Sequence, residues 1–111
     1  MNYDTDDTAI DAPRGIFARI ARYMGNRTLG RNSIELRGMS FVMSRWHSER
    51  TLGAHTAEIQ KFVDEKVELG QSRAYRWASD QERKSYDGVW RNFVLMLEAN
   101  PPLQRFAPSR K

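Results

Sequence analysis

Cysteine is absent from the 111 residues of this chain, which excludes disulfide bonds and metal sites built from thiolates. The sequence also lacks any apolar run near the length of about 18 residues that spans a bilayer. Its first residues are acidic and polar, unlike the basic and then apolar start of a secretory signal. We therefore expect a cytoplasmic protein that does not enter a membrane.

The motifs of common catalytic sites are missing as well. The sequence has no glycine-rich phosphate loop, no nucleophile elbow and no readable pair of catalytic carboxylates. His55 and Glu58 are three residues apart and could lie on one helical face, but a zinc site requires a third protein ligand. His47 is the only other histidine. We predict no enzymatic activity, no metal site and no cofactor.

Lysine is scarce, since four lysines stand against fourteen arginines. Residues 1–12 contain four aspartates and no basic residue, and we interpret them as a flexible acidic arm. The remaining residues carry a net charge of +8, of which +6 falls within residues 13–50. Such a basic surface suits phosphate, an anionic membrane surface or an acidic protein, and the planar guanidinium group binds phosphate and carboxylate well. Codon usage that favours arginine would explain the same ratio without a function.

Apolar residues recur at spacings of three and four along most of the chain, which predicts amphipathic helices. We predict an all-α fold, a compact bundle or orthogonal array of about four helices with flexible termini. The predicted helices cover roughly residues 13–25, 33–48, 56–69 and 79–99. Residues 13–100 would form one helical domain, followed by an extended, proline-rich basic tail at 101–111.

Local signals set these boundaries. Pro13 suits the first turn of a helix, and Gly25 with Asn26 is typical of a helix end. Ser79 and Glu82 have the spacing of a capping box, in which each side chain bonds the other residue's backbone N–H group. The apolar stripe of the first helix is predicted to face the core, and it consists of Phe17, Ile20, Ala21 and Met24.

One ten-residue segment occurs twice, since residues 27–36 and 50–59 share five identical positions. In both copies a glycine is followed by Ser33 or Thr56 and then by a glutamate, which predicts two bends that each lead into a capped helix. A helix N-terminus attracts phosphate, although the repeat would equally serve only to turn the chain. The candidate nucleic-acid contacts beside these bends are Arg27, Arg31 and Arg50.

A second cluster alternates cations with aromatic residues, and it consists of Arg73, Tyr75, Arg76 and Trp77. Aromatic rings can stack on bases while arginines hold phosphates, so these residues are further candidate nucleic-acid contacts. Residues 69–77, Leu-Gly-Gln-Ser-Arg-Ala-Tyr-Arg-Trp, also resemble the turn and the recognition-helix end of helix-turn-helix DNA-binding proteins, with about two residues fewer between them. We expect DNA rather than RNA as the ligand. Alternatively, Tyr75 and Trp77 cover the edge of the core.

Residues 39–46 are unusually apolar for a four-helix protein of this size. Met39, Phe41 and Met43 occupy every second position, as the apolar residues of a strand do, although the wider pattern favours a helix. Not all of this surface can face one core, so part of it is predicted to bind a partner or a second copy of the chain. The candidate partner-binding residues are Met39, Phe41, Met43 and Trp46.

Two functions follow from these features. The first is a small basic helical regulator that binds nucleic acid through an arginine-rich face. The second is a protein-binding adaptor or inhibitor, bacterial or viral, that docks on a larger complex through the apolar helix at Met39–Trp46. A homodimer is compatible with either function.

Overall fold

Helix α1 dominates the architecture and runs without interruption over Ile16–Met43. The computed structural model describes residues 15–46 and 49–108, with side chains described for residues 15–46 and 52–108. No strand occurs in these described ranges, so the predicted all-α fold is confirmed. The helices that follow α1 are α2 (Glu49–Ala54), α3 (Thr56–Leu69), α4 (Arg73–Trp77), α5 (Asp80–Ala99) and a final 3-10 helix (Pro101–Phe106). The predicted acidic arm at residues 1–12 lies outside the described residues.

The predicted break between the first two helices is wrong, because α1 continues through Gly25, Asn26 and Ser33. Packing explains the glycine: a Cβ atom at Gly25 would lie 2.6 Å from the carbonyl oxygen of Ala74 and 2.7 Å from the backbone nitrogen of Ala78. Close contact with α4 therefore requires glycine here, and this tertiary need outweighs its low helix propensity. Ser33 is buried within α1 rather than acting as an N-cap.

The second copy of the repeat does contain a break. Helix α2 ends at Ala54, and α3 begins at Thr56 after a turn at His55. Thr56 was predicted to cap α3, and that prediction is wrong, because its Oγ1 atom donates a 3.0 Å hydrogen bond back to the carbonyl oxygen of Leu52. The five positions that are identical in the two copies thus lie within one helix in the first copy and are divided between two helices in the second.

The start of α5 is confirmed at Ser79, whose Oγ atom accepts a 3.3 Å hydrogen bond from the backbone N–H group of Glu82. The reciprocal half of the capping box is not made by Glu82. Instead, the backbone N–H group of Ser79 donates to Oδ1 of Asn26 on α1 at 2.8 Å. Asn26 therefore belongs to the cap of α5 and does not end α1.

The segment after α5 was predicted to be extended, and that is wrong for Pro101–Phe106. The first prolines end α5 and begin the 3-10 helix, in which the backbone N–H group of Leu103 donates to the carbonyl oxygen of Asn100 at 2.8 Å. Leu103 and Phe106 are three residues apart, so the three-residue turn places both on one side, where they are buried. This apolar pair anchors the segment to the body of the protein.

The core lies between α1 and the helices that follow it. α1 packs against α4 and α5, and the 3-10 helix packs against α5 and α3. The buried face of α1 contributes Leu29, Leu36 and Met43, which follow one another at seven-residue intervals. The other core residues are Leu52, Ile59, Val63, Ala78, Tyr86, Phe93, Leu97, Leu103 and Phe106.

Candidate functional site

The side of α1 that faces away from the core is largely apolar. Eight of the ten large hydrophobic residues that are exposed in the described part of the chain belong to this one helix. Phe17 is 64% exposed and Ile34 is 69% exposed. We call these residues, together with the two arginines between them, the outer face of α1: Ile16, Phe17, Ile20, Tyr23, Met24, Arg27, Arg31, Ile34, Phe41 and Val42.

The helical repeat explains why this face exists. At 100° per residue, Leu29 and Leu36 define the buried side of α1, and Ile20, Arg27 and Ile34 lie on the opposite side. Helix α1 is therefore apolar on two sides, of which the other helices cover only one. Phe17, Ile20 and Met24 were predicted to face the core and instead lie on the outer face, because only Ala21 of that stripe is buried.

Positive charge is concentrated on the same helix. Between Ile16 and Met43 there are five arginines and one acidic residue, Glu35. The carboxylate of Glu35 is 2.5 Å from the ammonium group of Lys66 on α3, so it does not neutralise an arginine. No described carboxylate makes an ion pair with any of the five arginines. Four exposed acidic residues lie instead on α3, and they are Glu58, Asp64, Glu65 and Glu68.

The apolar and the basic side chains of α1 also contact each other. The guanidinium group of Arg27 donates a 3.2 Å hydrogen bond to the Tyr23 hydroxyl oxygen one turn earlier. The guanidinium carbon of Arg45, just beyond the helix, lies 4.4 Å from the centre of the Phe41 ring. Cations therefore lie against aromatic side chains at two places along this surface, at Tyr23 and at Phe41.

The structure separates the predicted nucleic-acid contacts into two groups. Arg27 and Arg31 lie one turn apart on the outer face of α1. The other group forms α4, which packs on the side of α1 that carries Gly25, and it consists of Arg73, Tyr75, Arg76 and Trp77. Since Arg27 follows Gly25 by two residues, it points about 200° away from that contact. The side chain of Arg50 lies outside the described ones.

Tyr75 does not present a free stacking surface. Its hydroxyl group donates to both carboxylate oxygens of Asp87, at 2.9 and 2.8 Å, and its ring meets the Tyr86 ring edge-on with centres 6.4 Å apart. Burial, followed by the hydrogen bond and the negative charge of Asp87, raises the pKa of the Tyr75 hydroxyl. Helix α4 has only five residues, so the resemblance to helix-turn-helix proteins does not extend to a full recognition helix.

The predicted partner-binding residues of the segment 39–46 have different environments. Met43 is fully buried in the core, and Met39 is partly buried against it. The Trp46 ring stacks on the His55 ring, with centres 4.5 Å apart. Phe41, which is 61% exposed, is the one of the four that belongs to the outer face of α1. The exposed apolar surface thus extends far towards the start of α1, which the sequence prediction missed.

His55 and Glu58 do contact each other, because Nδ1 of His55 lies 3.0 Å from Oε1 of Glu58. Within the described residues, no three acidic or histidine side chains are grouped closely enough to hold a metal ion. No helix of the described part of the chain is both long and apolar enough to cross a membrane. Comparison of the chain with protein families, with characterised proteins and with solved structures finds no match.

Proposed function

We propose that this protein is a small regulator or adaptor that binds a larger protein through the outer face of α1. One observation carries the proposal: eight of the ten exposed large hydrophobic residues of the described chain lie on a single helix, and the arginines of that helix pair with no described carboxylate. Contiguous apolar patches on a protein surface mark interaction sites. A cytoplasmic location belongs to the same proposal.

The composition of this face also indicates what covers it. Aromatic residues, methionine and arginine are enriched in protein interfaces, whereas lysine is depleted, and the outer face of α1 contains the first three types and no lysine. Its arginines lack carboxylate partners among the described residues, so a partner that brings carboxylates gains favourable electrostatic contacts. The proposed partner surface therefore combines apolar side chains with acidic ones.

A second copy of the chain fits this face less well. Pairing two α1 helices through their outer faces would bring Arg27 and Arg31 of one copy close to the same arginines of the other. Like charges that face each other across an interface lower the stability of the complex, roughly by several kcal/mol. We therefore expect the partner to be a different protein. Sedimentation of the chain alone is the control, because it shows whether the chain forms a dimer.

The proposal is tested by two double variants of the full chain. Ile20→Gln with Ile34→Gln removes apolar surface from the outer face of α1, where both side chains are exposed. Val67→Gln with Leu95→Gln removes exposed apolar surface from α3 and α5 and serves as the matched control. Each protein is immobilised and exposed to nuclease-treated lysate at moderate salt, and the retained proteins are compared.

The proposal predicts a stoichiometric partner that the native chain and the control variant retain and that the Ile20/Ile34 variant loses. Equal retention by both double variants contradicts it, as does the absence of any retained protein. Replacing Arg27 and Arg31 by glutamine should weaken retention and reduce its dependence on salt, since complementary charges across an interface speed association in a salt-dependent way.

Nucleic-acid binding, to DNA more than RNA, is a second candidate, and the unpaired arginines of α1 favour it. Binding to a mixed-sequence duplex or single strand should then weaken steeply between low and moderate salt, because displaced counterions drive association. The variant Arg27→Gln with Arg31→Gln should bind more weakly, and the matched variant with lysine at both positions should bind much as the native chain does. If neither nucleic acid is retarded at low salt, this candidate is rejected.

The acidic arm at residues 1–12 provides a second measurement for this candidate. If its aspartates compete with phosphates for the basic face, a chain that lacks residues 1–12 should bind nucleic acid more tightly at low salt. Unchanged affinity would exclude that competition and would leave the first measurement unaffected.

A further inference from the structure

A groove of about 460 Å³ lies on another part of the molecule, where the end of α3 meets α4 and α5. Volumes in this range accommodate small organic ligands. Its walls combine apolar and aromatic side chains with a few polar groups, as ligand sites do. The lining residues that matter below are Tyr75, Tyr86, Asp87, Trp90, Arg91 and Val94.

The hydroxyl group of Tyr86 is buried. Tyr86 is 2% exposed, and its oxygen atom makes no hydrogen bond with any described residue. Buried polar groups in folded proteins nearly always have a hydrogen-bond partner, so this hydroxyl group, in a residue that lines the groove, is available to a polar atom that enters the groove. A phenol can either donate or accept such a bond. Burial, followed by the charge of Asp87, raises its pKa to about 12, so the hydroxyl keeps its proton at neutral pH.

Arg91 supplies the unpaired charge of the groove. It is exposed, and no described carboxylate lies within ion-pair distance of its guanidinium group. The other charged side chains of the groove are already engaged: Asp87 accepts hydrogen bonds from Tyr75, and the Lys66 ammonium group bonds Glu35 and Asn32, each at 2.5 Å. A guanidinium group that pairs with no described carboxylate favours an anionic ligand, and its planar fork fits the two oxygen atoms of a carboxylate.

We propose that this groove binds a small aromatic carboxylate. The ring lies against the apolar wall formed by Trp90 and Val94, a polar atom of the ring bonds the hydroxyl group of Tyr86, and the carboxylate pairs with Arg91 at the rim. An alkylammonium ligand would also suit aromatic walls. The unpaired positive charge of Arg91 disfavours it.

Titration of the full chain with indole-3-acetate tests this inference. The indole ring supplies an N–H group for Tyr86, and the carboxylate supplies the partner of Arg91. Indole-3-acetamide is the matched neutral probe, and phenyltrimethylammonium is the cationic one. Backbone amide and Trp90 side-chain shifts in NMR spectra locate the binding and give the dissociation constants.

Indole-3-acetate should shift resonances of the groove residues in a saturable manner and bind up to about fivefold more tightly than the amide, since an ion pair with an exposed arginine contributes at most about that factor. Arg91→Gln should remove this difference, whereas Arg37→Gln, an exposed arginine on α1, should leave it intact. Tyr86→Phe should weaken both indole probes several-fold.

Three outcomes would overturn the inference. One is the absence of saturable shifts at the groove, and another is tighter binding of the ammonium probe. The third is an equal effect of Arg37→Gln and Arg91→Gln, which would reduce the binding to general charge attraction. None of these results depends on whether the outer face of α1 binds a protein.

Discussion

Oδ1 of Asn26, in the third turn of α1, accepts a 2.8 Å hydrogen bond from the backbone N–H group of Ser79, the N-cap residue of α5. Because this N–H group is partly buried, loss of its acceptor leaves an unsatisfied donor. Asn26→Ala should lower the free energy of unfolding by about 1 kcal/mol, even though alanine is the better helix former. Chemical denaturation followed by circular dichroism measures the change.

Asn26→Asp is the matched control for that prediction. Aspartate keeps an acceptor oxygen at the same position, and its negative charge is favourable beside the N-terminus of α5. The aspartate variant should therefore be closer to the native stability than the alanine variant. If both variants lose the same stability, the hydrogen bond to Ser79 is not what Asn26 contributes.

Gly25→Ala should be strongly destabilising. The added Cβ atom would lie 2.6 Å from the Ala74 carbonyl oxygen and 2.7 Å from the Ala78 nitrogen, and both of these are backbone atoms that cannot rotate away. Helices α1 and α4 would have to separate, and the expected loss is about 2–3 kcal/mol. Thermal denaturation measures it as a lower melting temperature.

Gly30→Ala and Gly38→Ala provide the comparison on the same helix. A Cβ atom at either position meets nothing within 4 Å, so each change adds helix propensity without a clash. Each should raise stability by about 0.8–1 kcal/mol. A loss at either position comparable to that of Gly25→Ala would mean that glycine is generally required in α1 and would remove the close-contact explanation.

These glycines show why the helix boundaries were only partly predictable. The start of α5 was found because a serine cap and its N–H partner are three residues apart, and such local chemistry is visible in the sequence. Gly25 and Asn26 look like a helix end for equally local reasons. Their actual roles involve Ala74, Ala78 and Ser79, which lie about fifty residues away along the chain, and no local pattern reports that contact.

The candidate surface was predictable to a similar extent. The concentration of arginine in the first half of the chain is a property of the sequence, and the structure places five of these arginines on α1. The sequence pattern could not tell which of the two apolar sides of α1 faces the core, because Phe17, Ile20 and Met24 have the spacing of a core stripe. The buried side is selected by α4 and α5, which pack against α1, and the backbone at Ala74 and Ala78 comes closest to α1 at Gly25.

Lys66 is a buried cation, and its ammonium group depends on α1 for compensation. It bonds Oε1 of Glu35 and Oδ1 of Asn32, each at 2.5 Å, and lies 4.6 Å from the centre of the Phe62 ring. Glu35→Ala removes the negative charge and leaves the cation buried. The free energy of unfolding should fall by about 2 kcal/mol, less than for a fully buried pair because Glu35 is half-exposed and Asn32 remains.

Lys66→Met should cost less than Glu35→Ala, since it removes the buried charge itself and keeps most of the apolar stem. Replacing buried ionic groups by apolar ones of similar volume is often close to neutral. Glu65→Ala, an exposed acidic residue on the same helix as Lys66, should change stability by no more than about 0.5 kcal/mol. The reverse order, with Lys66→Met the more harmful change, would contradict this prediction and would place the stabilisation in the contacts of the ammonium group with Asn32 and Phe62.

Tyr86 gives a prediction that depends on pH. Its hydroxyl group is buried without a described partner, so Tyr86→Phe should leave the free energy of unfolding at pH 7 unchanged or raise it by up to about 1 kcal/mol. Its pKa is about 12 in the folded protein and 10.0 without the burial. Ionisation of the hydroxyl is therefore less favourable in the folded state than in the unfolded one, and stability that is constant below pH 10 is lost as the pH rises towards 12.

The unfolding free energy of the native chain should accordingly decrease between pH 10 and pH 12, and the decrease should be smaller in Tyr86→Phe. Lysine residues titrate in the same interval and contribute equally to both proteins, so the difference between the two curves isolates Tyr86. Denaturation at several pH values, with the tyrosinate absorbance recorded alongside, gives both curves. Parallel curves would mean that the Tyr86 hydroxyl is as accessible to solvent in the folded chain as in the unfolded one, and the unpaired group in the groove would then have no energetic consequence.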